Sequence, residues 1–173
     1  MAADPTSACE ALIGRTLPAF SADSSRGRLE LGGPHSRGAL VLLFLPCLGS
    51  AECREYVAGF VAQRPAYEHL GARVVLVTAA TPSEPAHIPY PVITHGAELF
   101  SRHGLVGEPG GPTAGVIIVD RYGAVASCYT GTGCADLPAE PRVRRAVLAA
   151  EAVCPECGVP EDHWLDAVES ESG

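Results

Sequence analysis

Seven consecutive apolar residues, Ala39-Leu-Val-Leu-Leu-Phe-Leu45, run without a polar break and stop at Pro46. A short continuous run without alternation reads as a strand buried on both faces. From residue 50 to about 70 the period changes: Val57, Phe60, Val61 and Arg64 share one face with Cys53 at steps of three and four, which predicts one helix. Gly71 stands in the usual position for a glycine after a helix. Arg73-Val-Val-Leu-Val-Thr78 is the next buried strand. The segment 81–91, with prolines at 82, 85, 89 and 91, is a loop. A short strand over 90–94, a short helix over 97–103 and a strand over 115–119 follow. Asp120-Arg-Tyr-Gly123 is a hairpin turn signal, with a returning strand over 124–129. A last long helix covers 138–153. Ahead of all this, residues 1–16 read as a loose or short helical lead-in, and a hairpin strand is expected near 28–31. Parallel crossovers come first and an antiparallel pair comes late. That order predicts an α/β domain with a mixed central sheet flanked by helices on both faces.

Length and composition narrow the function. A chain of 173 residues fits one domain and can bury a full core without disulfide staples. The domain is expected over 1–153, with a tail over 154–173. The formal net charge is -8, and all 12 basic side chains are arginine. An acidic chain without a basic cluster is a poor partner for nucleic acid or an anionic membrane. The N-terminal MAADPTSACEALIG does not read as a signal peptide, and the longest apolar run is too short to span a bilayer. The expectation is a cytoplasmic protein. There, seven cysteines point to redox or metal chemistry more than to structural disulfides, and an odd number excludes complete intrachain pairing. No Gly-rich phosphate loop leads from a strand into a helix, and no cofactor is expected.

The segment Phe44-Leu-Pro-Cys-Leu-Gly-Ser-Ala-Glu-Cys-Arg-Glu55 carries the chemistry. A buried strand ends at Pro46, a hydroxyl follows at Ser50, and a thiol at Cys53. Ser50 is placed as an N-cap, with Cys53 at the third helical position. First-turn N–H groups and the helix dipole then favour a thiolate at Cys53, and adjacent Arg54 adds to this. The plainer alternative is a capping serine and a cysteine that only packs in the core.

Pro46, Ser50 and Cys53 match the peroxiredoxin motif position by position: proline, three residues, Thr or Ser, two residues, cysteine. Tyr90-Pro-Val-Ile-Thr94, the segment from Ala97 to Val106, and Gly115-Val-Ile-Ile-Val-Asp-Arg-Tyr-Gly123 are similar to later elements of the same family. The chain therefore resembles a peroxiredoxin-like member of the thioredoxin-fold superfamily from about residue 12 to 153. The resemblance implies that the Cys53 thiolate attacks a peroxide oxygen and becomes a sulfenic acid. Ser50 hydrogen-bonds the peroxide and Pro46 shields the sulfenic acid from water. A second thiol then closes a disulfide, which a thioredoxin-like partner reduces. Family members often form homodimers, and the same is expected here. The chain departs from the pattern at Ala114, where the family carries an arginine that orients the peroxide. A substitute would come from Arg54 or from Arg142, Arg144 or Arg145.

The resolving thiol stays open between Cys154 or Cys157, slightly favoured, and Cys47. Cys9, Cys128 and Cys134 read as bystanders, with Cys128 packed in a strand. Cys154 and Cys157, with His163, are also three soft ligands for a zinc site. Two further function classes follow. One is a thiol–disulfide oxidoreductase using Cys47 and Cys53. The other is a non-enzymatic redox-sensing or zinc-binding module.

Overall fold

The computed structural model describes residues 5–32, 38–80, 88–107 and 111–152. A short helix α1 (Pro5–Glu10) leads to a hairpin of β1 (Phe20–Ser24) and β2 (Gly27–Leu31). The core then runs β3 (Leu40–Leu45), α2 (Ala51–Ala62), α3 (Arg64–His69), β4 (Arg73–Thr78), β5 (Val92–Ile93), α4 (Ala97–Arg102), β6 (Ala114–Val119) and β7 (Val125–Gly131). A 3-10 turn over Cys134–Asp136 and helix α5 (Glu140–Ala152) close it.

Five strands form one sheet in the order β5-β4-β3-β6-β7. Strand β3 pairs in parallel with β4 and β4 in parallel with β5, while β6 is antiparallel to both β3 and β7. All six residues of β3 are buried because it is the central strand, covered on both faces. The two-residue period of a strand sorts its side chains. Val41, Leu43 and Leu45 join Val57, Phe60, Tyr67, Val143 and Val147 on the face covered by α2, α3 and α5. Leu40, Leu42 and Phe44 join Leu17, Leu31, Leu99, Phe100 and Leu105 on the opposite face. The mixed sheet flanked on both faces is the expected architecture.

The single helix expected over 50–70 is instead two. Helix α2 ends at Gln63, whose backbone lies outside the helical range, and α3 restarts with Pro65 in its first turn. Proline has no N–H to donate four residues back, so the break falls just before it. Arg64, placed by periodicity on the apolar face, is exposed and bonded to Glu68 at 2.6 Å. Gly71 ends α3 with a φ of 67°, the conformation that the sequence pattern anticipates there.

The hairpin β1–β2 leans on the sheet edge: Ser25 donates its N–H to Val92 at 2.9 Å and accepts the Val92 N–H on its hydroxyl at 3.1 Å. At the other edge, Cys9 of α1 and Cys128 of β7 form a disulfide. This corrects the reading of both as bystanders. Residues 119 apart in sequence meet because the N-terminal segment runs back along β7, with bonds from Gly14 to Val125 and from Leu17 to Gly123. The segment 154–173, with Cys154, Cys157 and His163, lies outside the described residues. No helix among the described residues is long and apolar enough to cross a membrane.

Candidate active site

The site forms where β3 delivers the chain to α2. Strand β3 ends at Leu45, and half-buried Pro46 follows with no N–H to continue the ladder. A tight turn over Cys47-Leu48-Gly49 brings Ser50 to the start of α2. The Ser50 backbone is extended, with φ -73° and ψ 147°, and its hydroxyl oxygen accepts the Cys53 N–H at 3.1 Å. The same hydroxyl donates to the Cys47 carbonyl at 3.2 Å. Ser50 therefore caps the helix and braces the turn before it, with Cys53 in the first helical turn as the spacing anticipates. The Cys53 side chain is 5% exposed and points into the face of the core shared with Leu48, Val57 and Ala114.

Arg54, one residue on, is exposed and lines an apolar groove of about 360 Å³ with Leu48, Val57, Ala58, Val61 and Ile88. Ala114 is fully buried at the start of β6, opposite Gly131 of β7. The arginines of α5 are engaged elsewhere or face outward. Arg144 donates to buried Glu140 at 3.0 Å, Arg142 lies 5.5 Å over the Tyr129 ring, and Arg145 is exposed.

A second thiol is buried in the same part of the core. Cys134 is 2% exposed and shares the core cluster of Cys53. Its thiol is pushed up well above the usual cysteine range. Burial is the main cause, followed by a side-chain hydrogen bond with Cys53 and by the charges of Cys53, Glu52 and Cys47. It stays protonated at neutral pH, able to donate an S–H. Nearby Tyr56 is also raised, by burial and by Cys134 and Glu140, and its hydroxyl donates to the Pro138 carbonyl at 2.9 Å.

The turn carrying Cys134 is held by two carboxylates. Asp136 accepts the Thr132 N–H at 3.0 Å, the Thr132 hydroxyl at 2.5 Å and the Gly133 N–H at 3.3 Å, which hold its carboxyl below the usual range. Glu52, in the first turn of α2, accepts the Ala135 N–H at 2.6 Å. Gly131 has no room for a side chain, since a Cβ there would lie 2.5 Å from that of Asp136.

The structure thus brings Ser50, Cys53, Cys47 and Cys134 to one end of the sheet. The sequence reading missed Cys134. The hairpin turn alone does not reveal it; the pairing of β6 with β3 does, because β7 reverses β6 and β6 reverses β3, so β7 runs parallel to β3 and ends on the same side. Among the described residues no group of three His, Cys, Asp or Glu side chains is arranged to hold a metal ion.

No family model matches the chain, and no curated protein matches it. Solved structures do. A reduced 2-Cys peroxiredoxin from Plasmodium vivax superposes with a TM-score of 0.70 over 83% of this chain and 87% of its own, at 12% identity. Enterococcus faecalis AhpC gives a TM-score of 0.67 over 83% and 99%, at 18% identity. A yeast mitochondrial 1-Cys peroxiredoxin gives 0.66 over 79% and 75%, at 15% identity. At such identities the likeness is one of fold. The chain has the thioredoxin-like fold in the form seen in peroxiredoxins.

Proposed function

We propose that this protein is a thiol peroxidase that reduces hydrogen peroxide or an alkyl hydroperoxide through Cys53. The observation that carries the reading is the capped thiol: a cysteine in the first turn of α2, its N–H held by Ser50, at the end of a central strand closed by Pro46, on a fold shared with peroxiredoxins. The peroxide oxygen distal to the leaving group accepts the Cys53 thiolate. The O–O bond breaks, alcohol or water departs, and Cys53 becomes a sulfenic acid. In this reading Ser50 and the first-turn N–H groups stabilise the developing charge, and Pro46 limits the access of water. With Ala114 in the strand, Arg54 is the cation nearest in sequence to the thiol, and it would orient a peroxide from the mouth of the apolar groove. A second thiol then condenses with the sulfenic acid, and a thioredoxin-like dithiol restores both.

The test is peroxide consumption by reduced, purified protein in the presence of a dithiol. Cys53→Ser is expected to abolish it, and Ser50→Ala to reduce it by about a hundredfold, the scale of one lost transition-state hydrogen bond. An unchanged rate in Cys53→Ser removes the assignment.

A second reading, a thiol–disulfide oxidoreductase, is favoured by one observation, the burial of two free thiols, Cys53 and Cys134, in one cluster. It predicts reduction of a protein disulfide such as insulin at a rate that exceeds peroxide turnover.

A further inference from the structure

We infer that Cys134 is the thiol that closes a reversible disulfide with Cys53, inside the folded domain and with the first turn of α2 intact. The inference deepens the reading of Cys53 as a redox-active thiol and rests on it.

Four observations carry it. Both thiols are buried in one cluster, Cys53 at 5% and Cys134 at 2% exposure, and each is next in sequence to one end of the bond between Glu52 and Ala135. The turn bearing Cys134 is positioned rather than loose, fastened to itself by Asp136 and to the first turn of α2 by the bond from Ala135 to Glu52. Topology places it there, since β3 and β7 run in the same direction and end on the same side of the sheet. The competing described thiols are less well placed. Cys9 and Cys128 are bonded to each other, and exposed Cys47 lies in the turn that Ser50 braces against α2. Joining Cys47 to Cys53 would undo that cap, whereas joining Cys134 would leave it.

The step balances simply. The Cys134 sulfur attacks the Cys53 sulfenic sulfur. The S–O bond breaks as the S–S bond forms, and the hydroxide leaves as water with the Cys134 proton. The oxidant is the peroxide consumed in the first step.

The experiment uses the full chain, reduced, desalted and divided. One portion receives one equivalent of hydrogen peroxide, the other one equivalent of diamide, which oxidises neighbouring thiols without peroxidase chemistry. Free thiols are alkylated and the protein is digested with a glutamyl endopeptidase and chymotrypsin. Cleavage after Glu52 and Tyr129 separates Cys53 from Cys47 and Cys134 from Cys128. A Cys53–Cys134 cross-link is expected in both portions. In Cys134→Ser and Cys134→Ala, trapping of the Cys53 sulfenic acid by dimedone is expected to rise about tenfold or more, because its condensation partner is gone. A diamide-treated chain in which Cys134 stays alkylatable, or in which Cys53 pairs with Cys47, Cys154 or Cys157, overturns the proposal. So does unchanged trapping in both variants. If either variant fails to fold, the cross-link in the unaltered chain decides. A diamide cross-link with no response to peroxide keeps the pair and removes the peroxidase reading. A trapped Cys53 sulfenic acid beside free Cys134 keeps the peroxidase reading and removes the pair.

Discussion

The carboxylate of Glu52 accepts the backbone N–H of Ala135 at 2.6 Å, joining residues 83 apart in sequence. This bond ties the helix that begins beside Cys53 to the turn that carries Cys134. Glu52→Ala leaves the Ala135 N–H to water and lets the turn move. We expect a stability loss of about 1 kcal/mol, the usual worth of one such bond near the surface. We also expect Cys53–Cys134 cross-linking to slow several-fold. Glu52→Gln keeps a carbonyl acceptor and should retain most of both. Urea midpoints and a quenched-alkylation time course measure the two effects.

Removal of the Ser50 hydroxyl strips the cap from α2. Ser50→Ala is expected to cost about 1 kcal/mol, in line with N-cap replacements in other helices, and Ser50→Thr much less. The reactivity of Cys53 toward a thiol reagent should change with it, since the same oxygen holds the Cys53 N–H. If Ser50→Ala leaves both the urea midpoint and the reagent rate where they were, the cap has no part in the site.

The disulfide between Cys9 and Cys128 closes a long loop and ties α1 to β7. Loss of a disulfide typically costs about 2 to 4 kcal/mol. Thermal melting of the oxidised protein should fall by several degrees on adding reductant. Cys9→Ser should melt at the lower temperature in either condition. A reductant-dependent shift of equal size in Cys9→Ser would assign the effect to another cysteine pair.

His103 lies buried against Phe20 and Phe44, with its Nδ1 2.7 Å from the Leu99 carbonyl that accepts from it. Burial lowers its titration below the ordinary value of 6.5, opposed in part by the Leu99 bond, and Arg102 lowers it further. The unfolded chain therefore binds a proton here at a pH where the folded chain does not. Stability is complete above about 6.5 and is lost as the pH falls toward the folded value. Urea midpoints should decline as the pH falls through and below about 6.5, and His103→Gln should flatten that slope, because it removes the titrating group. An identical slope in the variant would place the acid sensitivity elsewhere.

Much of the scaffold is legible in the chain. The run from Ala39 to Leu45 has no polar interruption and ends at Pro46, which is how a short strand covered on both faces reads. The motif of Pro46, Ser50 and Cys53 is likewise local. A proline end, a hydroxyl cap and a thiol three residues later need only helix geometry to come together. The break between α2 and α3 was legible too, since Pro65 stands in the middle of the expected helix. There the apolar spacing concealed it, because Phe60 and Tyr67 remain on one buried face across the break.

What sequence determines here is short-range: strand and helix periods, the cap and the thiol at the helix start. Those depend on neighbours within a few residues, which the chain writes in order. The pairing of thiols was decided by the tertiary structure alone. Cys134 meets Cys53 because two chain reversals return β7 to the end of the sheet where α2 begins, and because Glu52 and Asp136 pull the intervening turn inward. Cys9 meets Cys128 because the N-terminal segment runs along a sheet edge. No periodicity or local spacing encodes such contacts. They arise when strand order converts sequence separation into proximity.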